Sequence, residues 1–195
     1  HGSVNVKLSN NSEANDIFGL GIFSAGKKNS FEITDSKVHG LDLGASANDV
    51  FIKNSQIGRI KDDYFDRKDK NRIRIINSTI NREFVLGRAG DILCVDECTI
   101  NGDFTQNPNT TIIVKVIPGK EKYKLTINGN ADLKNGNLKI ILPENIGKTK
   151  SYTLKLINSK ELLSSSFANI YSSVASSSSV MIKYIPVIVD NKINV

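Results

Sequence analysis

The sequence of 195 residues predicts an all-β fold, a right-handed parallel β-helix whose coils stack into a solenoid. The first reason is a repeated segment in which alternating apolar residues are followed by a polar residue, a small residue and, two positions later, Val or Ile. The small residues are 19, 23 and 20 positions apart, which suits one coil of about 20 residues per repeat. The four copies are Phe31–Val38, Val50–Ile57, Ile73–Ile80 and Leu93–Ile100.

The second reason is the period of the apolar residues, which is two in every copy, as in Ile73 and Ile75. This is the period of a β-strand, whereas a helical repeat places apolar residues three and four positions apart. The third reason is the in-phase small residue, which stacked coils explain and the alternative, an antiparallel β-sandwich, does not. The predicted corners are Asp35, Asn54, Asn77 and Glu97, and the small residues that follow them are Ser36, Ser55, Ser78 and Cys98.

Apolar residues continue on both sides of these segments. A weaker coil is predicted at Val4–Gly26, and His1–Ser3 has the composition of an expression-tag remnant. After each corner a second apolar run follows, and we expect its side chains to fill the bore of the helix. These second runs are Val38/Leu41/Leu43, Ile57/Ile60, Phe84/Leu86 and Ile100/Phe104.

The charged segment Lys61–Arg72 interrupts the third coil. Its carboxylates raise the possibility of a calcium site, but calcium takes six to eight oxygens on a tightly turning loop that usually contains Gly. This segment has no Gly and interleaves Lys and Arg with its acids, so we expect a solvated loop and no metal. The acids in question are Asp62, Asp63, Asp66 and Asp69.

The second half of the chain has a different texture. Thr110–Gly119 reads as a strand that is apolar on both faces, which indicates burial or pairing on both sides. We expect strands in Leu125–Leu142, with a turn at Lys134–Asn137, and in Ser151–Asn158. A serine-rich, partly ordered stretch then leads to Val180–Val189, where Pro186 suits an edge strand. The predicted organisation is a tag remnant at 1–3, coils at 4–122 and a β-hairpin-rich C-terminal capping region at 123–195.

The net charge of +6 indicates either attraction to acidic partners or lysines on solvated faces. The positive residues are dispersed, with small groups at Lys27–Lys28 and at Lys148 and Lys150, and no basic patch is interleaved with aromatic residues. We therefore expect no nucleic-acid partner. No run of about 18 apolar residues is present that would span a membrane as a helix.

The two cysteines, Cys94 and Cys98, are the candidate site residues of this sequence. They flank a predicted bend, so that their thiols can meet in a small disulfide if the Cα atoms lie within about 7 Å. The alternative is a pair of reduced thiols packed in the bore as small apolar side chains. A metal site normally has more Cys or nearby His, and none is expected here.

No catalytic set stands out, and we expect neither enzymatic activity nor a cofactor. The sequence contains no GxSxG and no HExxH. Carboxylate pairs occur at Asp62/Asp63 and at Asp96/Glu97, and glycosidases use carboxyls about 5–10 Å apart. The alternative function is therefore a carbohydrate-active β-helix that acts on acidic glycans, although the chain has no Trp for an aromatic cleft.

Tyr123–Val195 resembles the C-terminal end of an autotransporter passenger domain. Its segments are similar to that family's strand pair, its Gly-containing spacer, its Tyr-x-Leu-Leu strand and its small-x-Phe step. The upstream coils resemble the family's β-helical stalk, and the Asn-rich, Lys-rich texture is most similar to the vacuolating-cytotoxin-like branch. The segments are LTINGNADLKNGNLKIIL (Leu125–Leu142), PENIGKTKS (Pro143–Ser151), YTLKLIN (Tyr152–Asn158) and SSSFANI (Ser164–Ile170).

This resemblance implies secretion through the periplasm and outer membrane of a Gram-negative bacterium, with exposure at the cell surface or release from it. It implies that the C-terminal coils act as an autochaperone-like folding nucleus, and that a membrane β-barrel belongs to the same full-length protein. The implied function is a stalk in host-cell interaction, as adhesin or toxin, with a host receptor or glycan as partner. A phage or structural β-solenoid is a further alternative, and the oligomeric state is left open.

Overall fold

A computed structural model gives the fold of the chain. It describes residues 5–18, 28–43, 47–62, 70–87, 90–115, 122–142, 154–164, 167–174, 187–189 and 192–194. These residues form β-strands and no helix, and accordingly no helix among them is long and apolar enough to cross a membrane. The strands are β1 (Asn5–Leu8), β2 (Glu13–Phe18), β3 (Lys28–Thr34), β4 (Lys37–Asp42), β5 (Ala47–Lys53), β6 (Gln56–Ile57), β7 (Ile60–Lys61), β8 (Arg72–Ile76), β9 (Thr79–Ile80), β10 (Phe84–Leu86), β11 (Ile92–Asp96), β12 (Cys98–Ile100), β13 (Phe104–Gln106), β14 (Thr111–Lys115), β15 (Leu125–Asp132), β16 (Asn137–Leu142), β17 (Lys155–Ser164), β18 (Asn169–Val174), β19 (Val187–Val189) and β20 (Lys192–Asn194).

The strands form two sheets, and the chain passes from one to the other in every coil. The first sheet has eight strands in the order β1-β3-β5-β8-β11-β14-β16-β18, all paired in parallel. The second sheet contains the strands that follow the corners, and a bend splits several of these into two short pieces, such as β6 and β7. Parallel pairing between successive coils confirms the predicted β-helix.

The small residues lie in one column, as predicted. The backbone N–H of Ser36 donates to Ser55 Oγ at 3.1 Å, and that of Ser55 donates to Ser78 Oγ at 3.1 Å. Thr79 pairs with Thr99, which places Cys98 next to Ser78 on the following coil. A small side chain suits this position because the coils lie about 4.8 Å apart, and at Ser55 and Ser78 the hydroxyl also accepts a hydrogen bond from the preceding coil.

The predicted corner residues adopt left-handed backbone angles. The φ angles are 49° at Asp35, 49° at Asn54, 44° at Asn77 and 55° at Glu97. Asn and Asp adopt this conformation more readily than most residues, and Glu97 is the exception in the column. The side chains also connect the coils, because Asn54 Nδ2 donates to Asp35 Oδ1 and Asn77 Nδ2 donates to Asn54 Oδ1, both at 3.0 Å.

The bore is filled by the apolar residues that the repeats predict. In the first sheet every second side chain points inward, and Ile33, Ile52 and Ile75 are fully buried. In the second sheet Phe84 and Phe104 stack edge to face on neighbouring coils, with ring centroids 5.6 Å apart. The second apolar runs contribute further buried side chains, namely Val38, Leu41, Leu43, Ile57, Ile60, Leu86 and Ile100.

The weaker coil predicted at Val4–Gly26 is present in its described part, residues 5–18, and the rest of that range lies outside the described residues. Strand β1 pairs with β3 and β2 pairs with β4, both in parallel, and the corner between β1 and β2 has left-handed angles at Asn10 and Asn11. The strand predicted in Thr110–Gly119 is β14, which begins a coil of its own between β11 and β16. Its Ile112 and Val114 face the core.

The prediction of a solvated loop at Lys61–Arg72 is wrong for Asp62 and Asn71, whereas Lys61, Lys70 and Arg72 are exposed. Asp62 and Asn71 are fully buried, and Asn71 Nδ2 donates to Asp62 Oδ1 at 2.9 Å. This bond supplies a hydrogen-bond donor, which a buried carboxylate requires. The other acids proposed for calcium, Asp63, Asp66 and Asp69, lie outside the described residues.

A buried polar row runs along the helix axis that the sequence analysis did not identify. Asn29 Nδ2 donates to Asn48 Oδ1 at 3.1 Å, and Asn48 Nδ2 donates to Asn71 Oδ1 at 2.8 Å. The backbone N–H of Asn71 then donates to Asp91 Oδ1 at 2.7 Å. All four side chains are buried, and each lies seven positions before the small residue of its coil, so the repeat contained the signal.

The C-terminal segments continue the parallel stack before it is capped. Strands β15 and β16 belong to different sheets, so that the turn at Lys134 and Asn135 is a coil corner with left-handed angles. Strand β20 pairs antiparallel with both β17 and β19, which forms the hairpin that covers this end of the second sheet. Strand β19, which follows Pro186 in the sequence, is an edge strand of the described second sheet. The boundary between 122 and 123 stays a prediction.

The alternation of β8 predicts opposite effects of the same substitution at neighbouring positions. Ile75→Asp places a carboxylate in the bore and should cost several kcal/mol of stability, since no partner for the charge exists there. Ile76→Asp places it on the outer face and should retain strand content and protease resistance. Circular dichroism and limited proteolysis of the two variants check this. Equal damage from both would contradict the inward orientation of Ile75.

The buried polar row predicts a loss of stability when one amide is removed. Asn48→Ala leaves the Asn29 amide and the Leu43 carbonyl without their Asn48 partner, which should lower the free energy of unfolding by about 1–3 kcal/mol. Asn169→Ala is the matched control, because its amide bridges to Asn137 on the exposed surface and water can replace it. Denaturant titrations compare the two, and an Asn48→Ala variant as stable as the control would show that the row contributes nothing.

Candidate functional site

The outer face of the first sheet carries a shallow groove of about 600 Å³. It forms because every second side chain of a strand points away from the bore, and in-register pairing sets these side chains in rows across the coils. One row consists of Phe51, Arg74, Cys94 and Ile113, which are consecutive partners on β5, β8, β11 and β14. We call this feature the first-sheet groove; its further lining includes Ser30, Glu32, Asp49, Arg72 and Ile92.

The first-sheet groove combines an apolar floor with charged groups. The Arg74 guanidinium lies over the Phe51 ring, with Cζ 5.6 Å from the ring centroid. Such a contact holds a cation against an aromatic face while leaving its N–H groups available. At the N-terminal side Glu32 is bound to Lys7 at 3.2 Å. An arrangement of this kind offers contact area and hydrogen-bond donors, which are the features of an interaction surface.

The two cysteines point to opposite sides of the chain. Cys94 is half-buried in the first-sheet groove, and Cys98 is buried in the core beside Ser78. Both are free thiols in the structure. Residues four positions apart in one strand would face the same side, but the left-handed corner at Glu97 turns the chain between Cys94 and Cys98, so they face opposite sides. A bridge and a reduced pair stay alternative predictions. In the second alternative both thiols are buried in the bore, and in the structure Cys98 lies there but Cys94 does not.

The surroundings of the two thiols affect their acidity differently. Burial raises the pKa of Cys98 to about 12, because removal from solvent disfavours the charged thiolate. Burial also raises the pKa of Cys94, but the positive charges of Arg74, Arg72 and Lys139 oppose that rise. Of the two, Cys94 is therefore the thiol that forms the reactive thiolate more readily.

The carboxylates considered for catalysis do not face a shared cavity. Asp96 Oδ1 lies 2.6 Å from Lys124 Nζ, and Glu97 Oε2 lies 3.4 Å from Lys122 Nζ, so that each is paired with a lysine. Asp62 is buried at the base of the insertion, and Asp63 lies outside the described residues. Within the described part of the chain, no group of three or more His, Cys, Asp or Glu is arranged to hold a metal ion.

The structure assembles a basic groove that the sequence analysis missed. Lys37, His39, Arg59 and Arg82 line a concave surface of about 430 Å³ on the outer face of the second sheet, together with Val38, Gly58 and Asn81. The four basic residues are scattered along the sequence and meet only because successive coils stack. His39, Arg59 and Arg82 are each about one coil apart in the sequence, and this spacing could have predicted that they meet. Net charge and local runs of charge do not reveal it. We call this feature the basic groove.

The different surroundings of the thiols predict selective alkylation. In the folded protein iodoacetamide should modify Cys94, at a rate that rises with pH as its thiolate forms, and should leave Cys98 unmodified until denaturant is added. Mass spectrometry of native and unfolded samples checks this, with Cys94→Ser as the control that should remain unmodified when folded. An unreduced mass two hydrogens lower, with no alkylation of either residue, would establish the disulfide and contradict the prediction.

Comparison with known proteins yields no matching family model, no matching curated protein and no matching solved structure. The assignment of a parallel β-helix therefore rests on the strand register and on the buried rows described above. The similarity of Leu125–Leu142 and Tyr152–Phe167 to autotransporter passengers stays a prediction from their sequence.

Proposed function

We propose that this chain is the β-helical stalk of an autotransporter passenger, acting at or released from the cell surface of a Gram-negative bacterium in contact with host cells. The observation that supports the proposal is the uninterrupted parallel stack that ends in an antiparallel cap. The strands of the first sheet pair in register from β1 to β18, and β20 closes the C-terminal end of the second sheet. Such a stack is a rod that grows by about 4.8 Å per coil and holds its surface rigidly.

The position of the cap supports the secretion route. The segments that resemble the autotransporter pattern form β15, β16 and β17, the last complete coils before the cap. In this region Leu125 pairs with Ile157, and Ile157 pairs in turn with Ile193 of β20. A capped end on which further coils can stack is the property that an autochaperone-like region requires, because a coil cannot bury its apolar face alone.

The outer faces of the rod suit it to contact with a partner. The first-sheet groove presents Phe51, Ile92 and Ile113 around Arg74 on a surface that the backbone holds flat. A rigid surface loses little conformational entropy on binding, which favours a role in adhesion or in toxin attachment. The exposed carboxylates that were considered for catalysis are paired with lysines, and no observation favours the alternative of a carbohydrate-active enzyme.

A folding nucleus at the C-terminal end predicts an asymmetry between two equally buried isoleucines. The chain is fused ahead of an autotransporter translocator domain in a Gram-negative host, and folding on the cell surface is read by external protease. Ile157→Asp in β17 should make the whole stalk protease-sensitive, because the coils lose the end on which they stack. Ile33→Asp in β3 should leave a resistant C-terminal fragment.

The unaltered chain is the control and should reach the surface in a protease-resistant form. Immunoblots with tags at either end identify which half survives. A chain that stays inside the cell, or a stable N-terminal fragment in the Ile157→Asp variant, would contradict the proposed stalk and its C-terminal nucleus.

A further inference from the structure

We infer that the basic groove binds an acidic glycan, an oligosaccharide bearing sulfate or carboxylate groups that lies along the helix axis. The inference rests on the proposed function, which requires a partner at the host surface, and it names the chemistry of that partner.

The basic groove has an excess of positive charge that its own residues do not neutralise. Lys37 and His39 share one carboxylate, Glu13, at 3.0 and 3.1 Å. The hydrogen bond from Lys37, and then that from His39, lowers the pKa of Glu13. Within the described residues Arg59 and Arg82 make no ion pair. Guanidinium groups bind carboxylate and sulfate-like oxyanions through two parallel hydrogen bonds, so these two side chains are suited to receive acidic groups.

The floor of the basic groove is concave because coils approach closely at the bend of the second sheet. A Cβ atom at Gly58 would collide with the backbone carbonyl of His39, so that only glycine fits at this position. The same bend on a later coil has Gly102, where a Cβ atom would lie 2.5 Å from the backbone of Arg82. Of these two glycines Gly58 lies in the lining, where it contributes no side chain between the basic residues of neighbouring coils.

A row of exposed amides continues from the basic groove along the axis. Asn101 Nδ2 donates to Asn81 Oδ1 at 3.3 Å, and Asn128 Nδ2 donates to Asn101 Oδ1 at 2.8 Å. Each amide in the row retains a second N–H and a second oxygen lone pair for another partner. Over three coils the row spans about 10 Å. Hydroxyl groups of a sugar chain match these donors and acceptors, while its acidic groups match Arg59 and Arg82.

The same lining disfavours two other anionic partners. Single-stranded nucleic acid is bound by aromatic side chains on which bases stack, and the lining of the basic groove contains none besides the imidazole of His39. An anionic membrane is bound by basic residues together with large apolar side chains that insert into it, and the only apolar side chain at this groove, Val38, is buried. The groove therefore favours a polar, acidic and extended ligand.

Binding of labelled octasaccharides to the purified full chain tests the inference. Fluorescence polarisation is measured with a heparin-derived octasaccharide, which is sulfated, a hyaluronan octasaccharide, which carries only carboxylates, and a neutral dextran oligomer. We expect the sulfated probe to bind, with an affinity that falls as salt rises, and the neutral oligomer not to bind. Binding of hyaluronan as well would assign the site to acidic glycans in general, and its failure would restrict it to sulfated ones.

Two double variants with the same change in net charge locate the site. R59Q/R82Q should weaken binding of the sulfated probe at least tenfold, whereas K53Q/K115Q, which removes two exposed lysines from the first sheet, should change it less than twofold. Thermal unfolding verifies that each variant is folded. R82Q alone changes an exposed side chain and should show a several-fold loss, so that the test does not depend on the half-buried Arg59.

Equal losses in the two double variants would overturn the inference, because they would show attraction to net charge and not to this groove. It would also be overturned if the neutral oligomer bound as well as the sulfated one, or if single-stranded DNA or anionic vesicles bound more tightly and with the same dependence on Arg59 and Arg82. Purified protein is used, so a failure here leaves the surface-export result for the stalk unaffected, and a failure of export leaves this measurement unaffected.

Discussion

In-register stacking of the coils is the constraint on which the rest of this structure depends. A parallel pair places each residue about 4.8 Å from its counterpart on the next coil, so a position must suit the same position above and below it. An apolar residue such as Ile52 is therefore covered by Ile33 and Ile75, and Ser55 by Ser36 and Ser78. Similar residues therefore form rows along the helix axis, and all residues of one row have the same structural role.

The rows also explain where the solenoid tolerates irregularity. The buried amides of Asn48 and Asn71 and the carboxylate of Asp91 bond across the coils. An unpaired polar group here would cost free energy, so the row fixes the point at which each coil returns to the first sheet. The extra residues of the third coil lie between Asp62 and Asn71, which bond to each other. Strand β8, which follows these residues, pairs in register with β5 and β11.

The same rows that build the core determine the surface. Because side chains alternate in and out, every buried row of the first sheet has an outward row beside it, and the first-sheet groove is such a surface, whereas the basic groove lies on the second sheet. The strands hold the first-sheet groove, and the bends between short strands of the second sheet hold Arg59 and Arg82 of the basic groove. In a rod of this kind the coil number sets the length, and the choice of outward residues sets the partner, independently of the core. This separation is what a surface stalk requires.

The sequence by itself determined the coil. The period of two, the spacing of Ser36, Ser55 and Ser78, and the corner residues are local properties, and each appears in the structure where it was predicted because one coil repeats the next. Only the tertiary structure decided which distant side chains meet. Arg59 and Arg82 become neighbours through stacking, Asp62 becomes buried through its bond to Asn71, and Cys94 and Cys98 part because the corner at Glu97 turns the chain. These outcomes depend on the relation between coils, including their unequal lengths, and no single repeat contains that information.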